Sequence, residues 1–116
     1  MTNKIHLKTV LSETGGVSVP QSTLFALLSL GILDSLTSGL LSATDTLQFF
    51  FHAENCLFVH QHLHNRSADE IMSHGVQLPD LFDILPPADA QREFQRELVK
   101  MGTLCLTLLE EKQLVA

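Results

Sequence analysis

A chain of 116 residues, 45 % of them hydrophobic and 17 % charged, has the length of one domain and can bury roughly 65 to 70 % of its unfolded surface. Typical soluble domains carry about 25 % charged residues, so the deficit predicts that some apolar surface faces a partner. The formal charge is −6, and the seven basic residues (Lys4, Lys8, Arg66, Arg92, Arg96, Lys100 and Lys112) form no basic stripe, which argues against nucleic acid as a partner.

The N-terminal segment alternates: Ile5 and Leu7 stand between Lys4, His6 and Lys8, the period of a half-buried strand. Gly15-Gly16 then precedes Val17-Ser18-Val19-Pro20, and paired glycines suit a tight hairpin turn. Residues 1–20 are therefore expected to form a small β-hairpin or an extended arm. The first helix is expected over Ser22–Leu41 and is apolar nearly all round, the mark of a buried helix. Gly31, Ser35 and Gly39 recur every four residues and predict a smooth stripe for close helix packing, with Gly39 alternatively near the C-cap. The apolar run Leu24–Leu33 is followed at once by Asp34. It is too short for the ~18 to 20 residues of a spanning helix and lies too far from Met1 for an export signal.

Two capping signals divide the middle of the chain. Ser42-Ala43-Thr44-Asp45 predicts a helix from Ala43 to His64, and Ser67-Ala68-Asp69-Glu70, with the pattern of a full capping box, predicts a short helix over Ala68–His74 that Gly75 would stop. Pro79 to Leu85 suggests one or two helical turns with proline at the first position. The last helix, Ala88–Gln113, places Phe94, Leu98, Met101, Cys105 and Leu108 on a heptad-like seam behind a solvated face of Glu93, Arg96, Glu97 and Lys100. The fold expected is mainly α: a single domain over 1–116, with residues 21–116 forming a compact bundle of four to five helices.

Residues 49–64, FFFHAENCLFVHQHLH, hold the most chemistry. On a continuous helix, His52, Cys56, His60 and His64 advance by about 40° per step of four, and neighbours in the series could share an ion. A rise of about 18 Å over twelve residues prevents all four from meeting ligand distances of about 2.0 to 2.3 Å. A zinc site would therefore combine His60, His64 and Cys56 with His74 from beyond the turn. The metalloprotease helix motif is missing its base, because Gln61 follows His60. The same wheel puts Cys56 and His60 within an apolar arc of about 140°, where imidazoles act as packing residues satisfied by hydrogen bonds. It sets Phe51 and Phe58 on the opposite side, free for a partner. An enzymatic alternative assembles a cleft from His52, Cys56 and Asp80, although a thiol within an apolar arc is usually inert. The two cysteines are read as reduced thiols of a cytoplasmic protein.

The stretches LGILDSLTSGLLS (30–42) and HGVQLPDL (74–81) resemble a family of small, uncharacterised bacterial helical proteins. The resemblance implies a helical fold over most of the chain after Gln21 and no particular activity, and the histidine-rich segment is not part of its pattern. The functional expectation is a non-enzymatic protein-binding molecule, an adaptor, inhibitor or immunity-type neutraliser. It would be a homodimer that also binds another protein through Phe51, Phe58 and Phe82, with no cofactor, no nucleic acid and no membrane. A zinc-binding protein and a His/Cys enzyme are the alternatives.

Overall fold

The computed structural model describes residues 4–13 and 20–113. Its elements are α1 (Leu7–Glu13), α2 (Gln21–Thr37), α3 (Ala43–Phe49), α4 (Ala53–Phe58), which runs into a π-helical turn over Val59–Leu63, α5 (Arg66–Ile84) and α6 (Pro87–Gln113). Helices α2, α5 and α6 form the central layer, α3 lies on α5, and α1 bridges α2 and α4. The mainly helical bundle follows the sequence expectation. Among the described residues no helix is long and apolar enough to cross a membrane.

No strand occurs among the described residues, so the β-hairpin expectation fails where it can be checked. Residues 4–6 have no regular secondary structure, and the chain then turns into α1. The alternation of Ile5 and Leu7 was too short to separate period 2 from a helical repeat, and Leu7 and Leu11, four apart and both fully buried, are the repeat that prevails. The Gly15-Gly16 turn and the strand expected after it lie outside the described residues.

Helix α2 ends at Thr37, four residues before its expected end. Gly39 takes φ +80°; its N–H donates to Leu36 O at 3.3 Å while Leu40 N–H donates to Ser35 O at 2.9 Å. This paired pattern closes a helix with a left-handed glycine. The stripe of Gly31, Ser35 and Gly39 does not pack against another helix, because both glycines are exposed. The close approach occurs instead at Gly75, whose missing side chain makes room for the Phe51 ring.

Gly75 therefore does not end α5. The helix starts at Arg66 after Asn65, whose Oδ1 accepts from Ala68 N–H at 3.1 Å, so the cap is Asn65 and not Ser67. It continues through Gly75 and the interior Pro79 to Ile84. Ser42 behaves as expected: its hydroxyl accepts from Asp45 N–H and the Asp45 carboxylate from Ser42 N–H, both at 3.0 Å, a complete capping box. In α6 the predicted seam is the core face, with Phe94, Leu98, Met101, Cys105 and Leu108 all buried. In α2 the Ser29 hydroxyl is buried without a hydrogen-bond partner, and nothing in the structure explains it.

The helix expected over Ala43–His64 is broken at Phe50 to His52. Consecutive positions on a helix point about 100° apart, and the two large rings Phe50 and Phe51 stand at the interruption. The break turns both inward to near-zero exposure. Their rings meet edge to face at 5.1 Å, and Phe50 also stacks on Phe25 at 6.3 Å. Two glycine substitutions of opposite sign test this packing. In Gly75→Ala the helix propensity gain of about 1 kcal/mol is opposed by overlap of the new Cβ with the buried Phe51 ring, which costs about 1 to 3 kcal/mol. Gly102, where a Cβ would meet nothing within 4 Å, carries only the gain. Urea unfolding followed by helical circular dichroism should show Gly75→Ala less stable, and Gly102→Ala more stable, than the parent.

Candidate functional site

The break between α3 and α4 creates a polar junction. Asn55, 1 % exposed, uses its whole amide on backbone: Oδ1 accepts from Leu7 N–H at 3.0 Å, and Nδ2 donates to Ile5 O and Phe50 O, each at 2.8 Å. Ile5 N–H donates to Phe49 O at 2.8 Å. The carbonyls left open where α3 ends are thus met by the N-terminal strap and the buried amide. His52 caps α4: its Nδ1 accepts from Asn55 N–H at 3.4 Å while Nε2 faces Ile5 O at 3.0 Å. One nitrogen must accept and the other donate, which is the neutral Nε2–H tautomer. His6 Nδ1 donates to Glu54 Oε2 at 2.6 Å, and that bond, ahead of charge attraction from His6 and Lys4, holds the Glu54 carboxyl below its ordinary value of 4.5.

The metal expectation placed four residues together that the structure sets apart. His60 is exposed and stands 3.3 Å from Asp69 Oδ2, outside the apolar arc predicted for it. His64 adopts a left-handed conformation (φ 47°) at the end of the π turn. His74 Nδ1 lies 3.3 Å from Glu97 Oε2, without the alignment of a hydrogen bond. Among the described residues no three His, Cys, Asp or Glu side chains are grouped as ion ligands. Cys56, His60 and His64 all follow the break at Phe50 to His52; what takes them off the predicted row is the π turn over Val59–Leu63 and the left-handed His64 at its end.

The enzymatic expectation is met in one respect only. His52 and Cys56 do line one open cleft of about 570 Å³, with Lys4, Leu47, Phe51 and Val76, but Asp80 does not. Both His52 nitrogens are committed to backbone. Burial pushes the Cys56 thiol above its usual value, and its S–H points to Phe51 O at 3.8 Å. That pair supplies neither a free base nor a thiolate. Cys105 is more deeply buried, and its thiol is pushed up to about 11. Both cysteines are free thiols.

Of the three aromatic residues expected to face a partner, Phe51 is corrected outright: it is 1 % exposed and belongs to the core. Phe58 is half-buried and stacks on His62 at 4.8 Å. Phe82 remains 44 % exposed, resting edge to face on Phe94 at 5.2 Å. It sits on the rim of a groove of about 300 Å³ formed by the C-terminal part of α2, the start of α3, the last turns of α5 and the first of α6. Leu36, Leu41, Pro79 and Phe94 line it, and the next residues in the chain, Leu40 and Ile84, are 79 % and 77 % exposed. The sequence signals for this groove were Phe82 and the capping box at Ser42. Asn55, Glu54 and His6 had none, since an Asn inside an apparent helix reads only as a weak interruption.

Comparisons with protein-family models, curated proteins and solved structures find no match for this chain.

Two measurements test the junction. Asn55→Ala leaves buried backbone groups without partners at about 1 to 3 kcal/mol each. It should lower stability by about 3 kcal/mol and selectively abolish amide-exchange protection at Ile5 and Leu7. For Glu54, a carboxyl whose folded value is depressed contributes stability that is fully present above the unfolded value of 4.5 and is lost as pH falls through the lower folded value. Glu54→Gln should therefore be less stable than the parent at pH 6, with the difference shrinking as pH falls below 4.5 and through the lowered folded value.

Proposed function

We propose that this is a non-enzymatic, cytoplasmic helical binding protein that engages another protein through the groove around Phe82, in the manner of an adaptor, inhibitor or immunity-type neutraliser. The supporting observation is the exposure of Phe82 in the lining of an open apolar groove, with exposed Leu40 and Ile84 adjacent in sequence to the lining residues Leu41 and Asp83. Contiguous apolar surface beside a concavity is costly in water unless it is covered part of the time. A second apolar surface, Val99 and Leu106 two turns apart on the outer face of α6 and both more than half exposed, supports self-association into a homodimer on a separate face.

The two parts are tested separately. A photo-crosslinking phenylalanine analogue at position 82, expressed in the native host, should give one discrete adduct that disappears when Leu40→Ser and Ile84→Ser are added. Adducts equally abundant from the analogue at exposed Ser73 would remove the groove from the reading. Light scattering at about 10 μM, far above the Kd of a stable dimer, should report twice the chain mass, reverting to one chain mass in Val99→Glu; a monomeric parent ends the dimer.

A further inference from the structure

We propose that the groove around Phe82 receives a cationic amphipathic α-helix of another protein. This rests on the protein-binding reading above and assigns the partner its chemistry. The floor is apolar, but the elements that supply it are acidic. Residues 34–45 and 79–88 together contain Asp34, Asp45, Asp80 and Asp83 and no Lys, Arg or His. Asp83 is itself part of the lining, and exposed Asp80 follows Pro79, which is another part. Asp45 is anchored at the wall by its bonds with Ser42. The Ser42 backbone N–H, then its hydroxyl, holds the Asp45 carboxyl below its ordinary value, so it is fully ionised at neutral pH. The cations nearest in sequence to Phe94 are neutralised locally: Arg92 pairs with Asp89 at 3.1 Å and Arg96 with Glu93 at 2.9 Å.

An apolar floor with an unbalanced negative rim favours a ligand with apolar anchors flanked by Lys or Arg. Groove walls made of helices, with no strand among the described residues, offer no sheet edge for strand addition and match the mode in which a helix lays one apolar face in a groove. The same rim repels an anionic lipid surface. A second copy fits poorly. The basic row this chain could offer, Arg92, Arg96 and Lys100 on α6, is interleaved with Glu93 and Glu97, so it carries little net charge to complement the rim.

The test uses the full chain and two synthetic peptides of roughly 18 residues, about five helical turns. They share one leucine pattern and differ only in lysine or glutamate on the polar face. Binding is followed by calorimetry and amide-shift mapping, since the chain has neither Trp nor Tyr. The lysine peptide should shift amides at Leu36, Leu41, Phe82 and Phe94 and bind at least about tenfold tighter than the glutamate peptide, an advantage that shrinks as salt rises from about 50 to 200 mM. Asp80→Asn with Asp83→Asn should weaken the lysine peptide about fivefold, and Phe82→Ser should weaken it as well. All three positions are exposed, so unchanged helical dichroism serves as the folding control. Equal binding of both peptides in the groove would overturn the cationic partner while leaving the binding surface intact. Neither peptide moving the groove amides would overturn both readings. Lysine-peptide shifts spread over the whole surface and insensitive to Phe82→Ser would reduce the effect to charge alone and overturn the site. Concentration-dependent association of the chain lost in Leu40→Ser would make a second copy the occupant and overturn the proposal.

Discussion

One buried carboxamide holds the architecture together. Asn55 sits where α3 has ended and α4 has begun, the point at which a helical chain has most backbone groups without partners. With its two N–H donors and its oxygen it closes Ile5 O, Phe50 O and Leu7 N–H at once. An apolar side chain there would leave these groups dry and unmatched, and a charged one would be costly to bury. The amide also fixes the path of the chain start. Residues 4–6 have no regular secondary structure because their backbone is read by Asn55, His52 and Phe49 O, and α1 can begin only after that strap has been laid down.

The aromatic run explains why such a junction is needed. Three phenylalanines in succession, Phe49 to Phe51, carry more apolar area than one helical face can bury, and area removed from water is the largest favourable term available to a small domain. Interrupting the helix buries Phe50 and Phe51 together at the expense of a few hydrogen bonds, which the strap then replaces. Gly75 is the complementary concession on α5: a residue that lowers helix stability admits the Phe51 ring.

This shows which parts of the fold could be read from residues alone. The seam of α6, the Ser42 capping box, the left-handed end of α2 at Gly39 and the exposure of Phe82 each depend on neighbours within a few positions, and local pattern reaches that far. The break at Phe50, the continuation of α5 through Gly75 and Pro79, and the role of Asn55 depend on partners 24 to 50 positions away, Phe51 with Gly75 and Ile5 with Asn55. A wheel drawn over 43–64 assumes that propensity decides. Here tertiary burial overrode it at Phe50, while the π turn over Val59–Leu63 and the left-handed His64 altered the face on which Cys56, His60 and His64 were expected to stand. Glycine at position 75 was read as a stop because a C-cap is the usual reason for glycine in a helix, whereas a close approach is the rarer one and leaves no local mark.

The junction and the groove are not independent, because α3 belongs to both. Its first residues, Ala43 and Thr44, line the groove beside Phe82, and its last carbonyl, Phe49 O, accepts from Ile5. At seven residues it is well below the roughly 12 to 15 needed for a helix to persist in water. Its existence therefore rests on what is done at its two ends, the Ser42–Asp45 box at one and the strap with Asn55 at the other, together with its packing on α5. A wall built from such an element is held in place only while both ends are tied. Loss of the strap would loosen the Ala43–Thr44 wall about 10 Å away, and a ligand seated against that wall stabilises the strap by the same free energy, since coupling between two sites is reciprocal. The polar network around Asn55 thus sets how rigid the apolar groove can be, and a rigid groove loses less entropy when a partner helix docks.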